Sequence, residues 1–541
     1  MKKILIIIAL LLIVSVVTAA GILLFPYDPM NPPLTNDINS TPEGITRVVN
    51  ANNEFTIKLY SELKKENYDN IFFSPLSIFS NMALIYEGSE GNTQSQMQTV
   101  FNFPEKNNLR SNFAAVYNNL NTNQKEYVFK TGNALWLQNN SLSPEYKKIV
   151  EEYYGGKAVE LNFQEVEETA DTINSFISQQ TKNKINNLVH YSWINPLTKF
   201  IATNAAYFEG DWKYKFNKDE TSNRPFLLSE TEQIKVPTMS MSPKKDVKFN
   251  YAYLEDLQII ELPYRREKIS MLIFLPFTEN ISEFESELSL EKINSLKKEM
   301  KLTHLETITL PKIEMEEEYH LKEYLKSLGM VDAWNNDANF SDMFKTEMDK
   351  MLGLILKESI HKSYLLIDEK GTTATSATAT LVEVMGVAPK ENQFKANHPF
   401  IFLIQDTTDG NILFFGRILN PTGDTNSTEY QSLELESDRV NCQTYCAYAK
   451  NRGYENWKES EYCNYGDSNC GNYPIEIPCN LKSQDRYGKT IICNASHCET
   501  GCPGSCCTTN ISLNYQECLE NKGIWEQSSI CLQLSTVIKT E

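Results

Sequence analysis

Nine consecutive residues, Thr372 to Thr380, are Thr, Ala or Ser, with no charge and no proline among them. They follow an apolar run, Leu365-Leu-Ile367, and a turn-forming Asp368-Glu369-Lys370-Gly371, and they lead into Leu381-Val-Glu-Val-Met-Gly-Val387. The chemistry open to such a segment is that of its backbone. As a loop it stays solvated and short of contacts that would fix it. As a strand it is equally competent, because Thr favours the pleated backbone. The side chains that alternate to one face (Thr372, Ala374, Ser376, Thr378, Thr380) are also small enough to enter between strands already formed. A Lys, Glu or Pro at any of those positions would oppose burial in a sheet.

Enzymatic chemistry has little to stand on. The chain has no Gly-x-Ser-x-Gly elbow, no His-Glu-x-x-His and no P-loop, and its six histidines show no metal spacing. His361 and His398 read as buried hydrogen-bonding residues, and neither a metal nor another cofactor is expected. The formal net charge of −19 argues against nucleic acid and anionic membrane surfaces as partners, since both select a basic face.

A Ser/Thr linker has the same composition as Thr372–Thr380. The residues beyond it are not linker-like. After Glu383-Val-Met-Gly-Val-Ala-Pro389 the chain resumes as two apolar strands, His398-Pro-Phe-Ile-Phe-Leu-Ile404 and Asn411-Ile-Leu-Phe-Phe-Gly-Arg-Ile-Leu-Asn-Pro421, around a turn at Asp409-Gly410. A segment strung between core strands of one domain is a functional loop more often than a spacer.

The rest of the chain supplies the frame. At 541 residues more than one folding unit is expected, and 41% apolar residues permit a large core. Met1-Lys-Lys leads into an uncharged apolar run from Ile4 to Phe25, which serves equally as a membrane anchor or, with Val17-Thr-Ala-Ala-Gly21, as a cleaved secretory signal. Either way the remainder is expected outside the cytoplasm, and residues 26–42 read as a Pro-rich tether. Val48, Phe55, Leu59 and Leu63 mark a helix that yields at Asn67-Tyr-Asp-Asn70. Ser74-Pro75 reads as a helix cap with Pro in the first turn. Asn133-Ala-Leu-Trp-Leu137 reads as a central strand and Thr172 to Leu188 as an amphipathic helix.

Residues 422–441 are polar and linker-like. All 12 cysteines lie beyond them: Cys442, Cys446, Cys463, Cys470, Cys479, Cys493, Cys498, Cys502, Cys506, Cys507, Cys518 and Cys531. An even number packed into 442–541 reads as a disulfide module made in an oxidising compartment. A zinc site is the weaker alternative, with one histidine, His497, in the region. Sequons at Asn39, Asn139, Asn280, Asn426, Asn494 and Asn510 would permit glycosylation there.

Many short motifs in one order resemble the serpins. Asn70-Ile-Phe-Phe-Ser-Pro-Leu-Ser-Ile78, Thr203-Asn-Ala-Ala-Tyr-Phe-Glu-Gly-Asp-Trp212 with Phe216, Thr221 and Phe226, Glu261-Leu-Pro-Tyr264, Leu310-Pro-Lys312, Ile360-His-Lys362, Glu369-Lys-Gly-Thr372 and His398-Pro-Phe400 span residues 43–421. The resemblance implies an α+β fold of three β-sheets, eight to nine helices and an exposed reactive-centre loop. It implies a monomeric protease inhibitor and not an enzyme: a serine protease attacks the loop, and the cut segment inserts into the main sheet. Glu369, Gly371, Thr372, Ala374, Ser376 and Ala377 match the loop hinge. Ser74, Ser77, Asn204 and His361 match a polar cluster under the centre of the sheet, and Trp212 and Lys312 match the region where insertion begins. Family spacing from Glu369 places the scissile bond at Met385-Gly386. The next segment is about three residues longer than usual, which leaves Gly386-Val387 and Val387-Ala388 open. All are apolar or small, so the expected partner is a chymotrypsin-, subtilisin- or elastase-like protease. A rival reading is a non-inhibitory binding or adhesion protein that works through its cysteine-rich module.

Overall fold

The first long helix begins where its caps dictate. Thr41 accepts from the Gly44 N–H, Pro42 sits in the first turn, and Pro42–Glu66 runs until Asn67 turns extended. Val48, Phe55, Leu59 and Leu63 are buried along it, as their spacing requires. The computed structural model describes residues 34–121, 127–139, 141–194, 198, 200–346, 355–372, 391–422, 481–484 and 490–493. The chain divides into two compact units, Met1–Asn426 and Ser427–Glu541.

In the first unit the described strands form three sheets. One has seven strands in the order β1 (Ile71–Phe73), β18 (Ile412–Ile418), β17 (Phe400–Asp406), β10 (Ile269–Pro276), β9 (Leu257–Pro263), β8 (Phe249–Tyr253) and β11 (Lys301–Thr303). A second has four: β16 (Gln393–Lys395), β12 (Thr307–Pro311), β7 (Gln233–Met241) and β6 (Asn217–Leu227). The third is the main sheet, ordered β13 (Ile313–His320), β14 (Ser359–Ile367), β15 (Gly371–Thr372), β5 (Phe200–Asp211), β3 (Ala134–Gln138) and β4 (Lys157–Leu161), with β2 (Tyr127–Thr131) also on β5. Nine α-helices surround them among the described residues. Helix Pro75–Gly88, capped by Ser74, is buried along its whole length and packs on β5 and β18. Each large apolar side chain so enclosed stabilises the fold by about 1.5–3 kcal/mol.

The main sheet is mixed: β3 and β4 pair parallel at one edge, and a second parallel pair lies inside it. β14 runs parallel to β5 over six paired residues, from Ser359 opposite Ala202 to Tyr364 opposite Tyr207. Above Tyr364 the two strands separate around β15, which is antiparallel to both, Thr372 pairing with Ile367 on one side and Gly210 on the other. Two parallel neighbours leave room between them for an antiparallel strand, and here that strand has already begun.

Two sequence readings need correction. The amphipathic helix is Val166–Gln180, six residues earlier than expected at its start and eight at its end. Lys182 and Asn183 take left-handed φ of 51° and 59°, which stops the helix, while Ile185 and Leu188 continue its apolar pattern as buried residues of a non-helical segment. The tether also ends sooner than 42. Thr35 is buried, its N–H donating to Asn118 Oδ1 at 2.9 Å and its hydroxyl to Ala114 O at 3.1 Å, and the Asn36 N–H donates to Glu152 O at 2.8 Å. Polar Asn and Thr residues that read as solvated linker instead satisfy the backbone of neighbouring helices. The apolar run 4–25 lies outside the described residues, among which no helix is long and apolar enough to cross a membrane. In the second unit, Leu481–Gln484 pairs antiparallel with Thr490–Cys493, setting Leu481 opposite Cys493; the other cysteines lie outside the described residues.

Candidate functional site: the slot between two parallel strands

The upper end of the slot is a tight hairpin. The Asp368 N–H donates to Gly371 O at 2.8 Å and the Gly371 N–H to Asp368 O at 3.2 Å, so Glu369 and Lys370 form a two-residue turn between β14 and β15. Gly371 is required by proximity, since a Cβ there would lie 1.9 Å from the Gly210 carbonyl oxygen. The segment just after β5 holds the turn from the other side: the Trp212 N–H donates to Lys370 O at 2.7 Å and the Phe216 N–H to Glu369 O at 3.1 Å. Trp212 is buried, stacks on Tyr264 with centroids 4.5 Å apart, and donates from Nε1 to Asp368 O at 3.0 Å.

Glu369 is 3% exposed and makes an ion pair with Lys312 at 3.2 Å, while the Thr221 hydroxyl donates to its Oε1 at 2.8 Å. Burial raises its pKa, but its own backbone N–H, Thr221 and Lys312 outweigh that and hold it below the ordinary range. The neighbouring Asp368 goes the other way. Burial raises it against the opposing backbone N–H groups of Lys370 and Gly371.

The centre of the slot is closed by uncharged groups. His361 on β14 lies opposite Asn204 on β5, and its Nδ1 bonds to Asn204 Oδ1. Its Nε2 accepts from the Ser74 N–H at 3.0 Å, which assigns the proton to Nδ1. Asn204 Nδ2 donates to Ser77 O at 2.7 Å, to Ser77 Oγ at 2.6 Å and to Asn133 Oδ1. The Ser74 hydroxyl donates to Leu413 O at 2.7 Å. Complete burial, which penalises the charged imidazolium, pushes His361 down to about 3.

The described residues that the motifs selected for the hinge and the sheet fall into these two clusters: Glu369, Gly371, Thr372, Trp212 and Lys312 above, Ser74, Ser77, Asn204 and His361 below. Ala374, Ser376, Ala377, Met385 and Gly386 lie outside the described residues. His398 is a buried hydrogen-bonding residue as expected, with Nδ1 2.9 Å from Asn397 Oδ1 and Nε2 on Pro276 O. Four site residues carry no assignment from sequence: Asn133, Thr221, Tyr264 and Asp368. Asn133 offered a signal, a polar residue at the mouth of an apolar strand. Thr221, Tyr264 and Asp368 stood within quoted motifs, but Thr221 meets Glu369 across 148 positions, Tyr264 meets Trp212 across 52 and Asp368 meets Trp212 across 156, which no local pattern displays.

Residues 50–421 match the family model for Serpin (serine protease inhibitor). An uncharacterized serpin-like protein of Methanosarcina acetivorans is 37% identical over 378 residues, 69% of this chain and 86% of its own length. Human leukocyte elastase inhibitor is 34% identical over 385 residues, 69% of this chain and 98% of its own. The crystal structure of Serpin48 from the insect Tenebrio molitor aligns with a TM-score of 0.60 at 30% identity, covering 69% of this chain and 98% of that one. The match runs through both clusters and every strand of the slot, and it ends at Pro421, just past the last core strand; the chain belongs to the serpin, or serine protease inhibitor, family.

Proposed function

We propose that this chain is an extracytoplasmic inhibitor that traps an apolar-preferring serine protease by inserting residues 373–380 between β14 and β5. The observation that carries the reading is one of register. Thr372 pairs with Ile367 and Gly210, and those two stand at the same offset as the six pairs below, from Ser359–Ala202 to Tyr364–Tyr207. A strand growing from Thr372 therefore needs β14 and β5 to move apart, by about 4.8 Å, without sliding.

Carried forward, that register sets Ala374 beside Leu365 and Phe208, Ser376 beside Ser363 and Ala206, Thr378 beside His361 and Asn204, and Thr380 beside Ser359 and Ala202. All eight receiving residues are buried. Opposed residues share a face, so the small side chains enter the core where volume is scarce. On the other face Ala377 and Ala379 fall beside Ala205 and Ile360, which pack with Ile173, Phe176 and Ile177 of helix Val166–Gln180. A longer side chain would have to displace that helix. Thr378 would take its place between His361 and Asn204, so the bond joining them must break as the slot opens.

In the trapping step the protease serine oxygen attacks the carbonyl carbon of the scissile residue, placed at Met385, and the amine of Gly386 leaves with a proton. The ester persists if insertion carries the protease away before water hydrolyses it. Apolar Met385 and small Gly386 favour chymotrypsin-, subtilisin- or elastase-like enzymes, in keeping with a relative named for elastase inhibition. The test is incubation with a panel of serine proteases, followed by denaturing gels and mass spectrometry of the released peptide. A denaturant-resistant complex cleaved within Met385–Ala388 is expected. Full protease turnover that leaves only cleaved chain would reject trapping and favour the non-inhibitory reading.

A further inference from the structure

The turn that starts β15 contains a carboxylate that the ion pair does not explain. Asp368 is 1% exposed, its Oδ1 accepts from the Lys370 N–H at 2.8 Å and the Gly371 N–H at 3.2 Å, and its Oδ2 has no hydrogen-bond partner among the described residues. It stands beside Glu369, whose carboxylate already holds the nearby Lys312. An unpartnered buried carboxylate oxygen is costly, and an asparagine would fill the same space without bringing a second negative charge. What the acid adds is a stronger acceptor for two backbone N–H groups, those of the turn and of the first residue between the strands. The backbone of Asp368 is committed to the same place, through its N–H to Gly371 O, and its carbonyl to the Gly371 N–H and Trp212 Nε1.

We propose that Asp368 is a positioning residue that fixes the register in which the cut loop enters the sheet, an inference that rests on the inhibitory reading above. The side chain pins Gly371 beside Asp211 and so sets Thr372 opposite Gly210 and Ile367 before any protease arrives. Strand growth from a seated first rung avoids the search that a free end must make. It also keeps Ala374, Ser376 and Thr378 on the core face, whereas a slip of one residue would turn every side chain to the other face. With the anchor lost, insertion slows while hydrolysis of the ester by water does not, and the inhibitor is consumed as a substrate.

The experiment compares the full chain with Asp368→Ala and Asp368→Asn against chymotrypsin and pancreatic elastase, reading both the moles of inhibitor consumed per mole of protease trapped and the rate of first association. For D368A the stoichiometry is expected to rise about tenfold with the association rate within about twofold, because only the step after acylation is touched. D368N is expected to fall between the parent and D368A in stoichiometry, since its amide oxygen still accepts both N–H groups but more weakly than a carboxylate. A D368A stoichiometry equal to the parent's, or a D368N as poor as D368A, would overturn the proposal. Should D368A fail to fold, hydrogen exchange on the parent decides: Lys370 and Gly371 amides must be protected, and free exchange there overturns it. A parent that forms no complex with either protease while those amides stay protected would reject the inhibitory reading instead of the anchor.

Discussion

The two ends of the slot are held by different kinds of force. At the centre, His361, Asn204, Ser74, Ser77 and Asn133 close β14 against β5 with uncharged hydrogen bonds, every one of these side chains buried. At the top, the strands are already parted, and an ion pair, a stacked Trp212 and a two-residue turn hold the wedge in place. A network of neutral groups is all-or-none, because each broken bond strands a buried donor or acceptor. Backbone pairing of a two-residue strand adds one rung at a time. On the proposed mechanism the molecule therefore resists opening at its centre and admits it from its end, where the segment proposed to insert starts.

The largest test of that contrast is a cut in the loop. Cleavage near Met385 frees Thr372 to Thr380 to complete the slot, gaining a strand of backbone hydrogen bonds on the order of 10 kcal/mol, and the melting temperature of the first unit should rise by tens of degrees. Calorimetry before and after limited proteolysis, with the second unit removed if the shortened chain folds, measures it. A cleaved form that melts at or below the intact form would mean the centre does not open.

Next in size is Thr372→Arg. In the register of β15 this position belongs to the core face of an inserted strand, where an unpaired guanidinium costs several kcal/mol, so the variant should be cut like a substrate and leave no complex on a gel. Undiminished trapping would show that growth does not start from this rung.

Acid should weaken the centre before the top. The His361 pKa falls from an ordinary 6.5 to about 3 in the fold. The unfolded chain then binds the extra proton throughout that window, and stability falls with decreasing pH by about 1.4 kcal/mol per unit, beginning below pH 6.5 and ending near 3. Denaturant titrations of the parent at pH 7.5, 6 and 5 should show the slope, and His361→Gln should flatten it.

The smallest expected effect is at the top. Lys312→Ala leaves Glu369 with Thr221 and its own N–H, and because Lys312 remains partly solvated the loss should be only about 1–2 kcal/mol in a denaturant melt. A loss as large as that from acidifying His361 would erase the distinction between the two ends.

Much of this arrangement is legible in local sequence. Caps at Ser74-Pro75, the turn at Asp368–Gly371, the strands on either side and the small-residue run are local patterns, set by hydrogen-bonding side chains, by φ and by side-chain volume within a few residues. The motif residues named for the slot that are described, from Ser74 to Thr372, line it, while Ala374, Ser376 and Ala377 lie outside the described residues. Less legible are the limits of elements whose pattern continues past their end, as at helix Val166–Gln180, where Ile185 and Leu188 keep the apolar rhythm after Lys182 has broken the backbone.

By itself, then, the chain's order of residues determined the family, the small-residue segment that the proposal inserts and the turn before it, because these depend on neighbours along the chain. Tertiary structure alone decided that β14 and β5 keep one register at Thr372 and below it, that Asn133 completes the His361 cluster, that Thr221 helps hold Glu369, and that Trp212 reaches the Asp368 carbonyl. The physical reason is separation. Ser74 meets His361 across 287 positions and Thr221 meets Glu369 across 148, and contacts that distant are chosen by how whole sheets pack, which no stretch of neighbouring residues encodes.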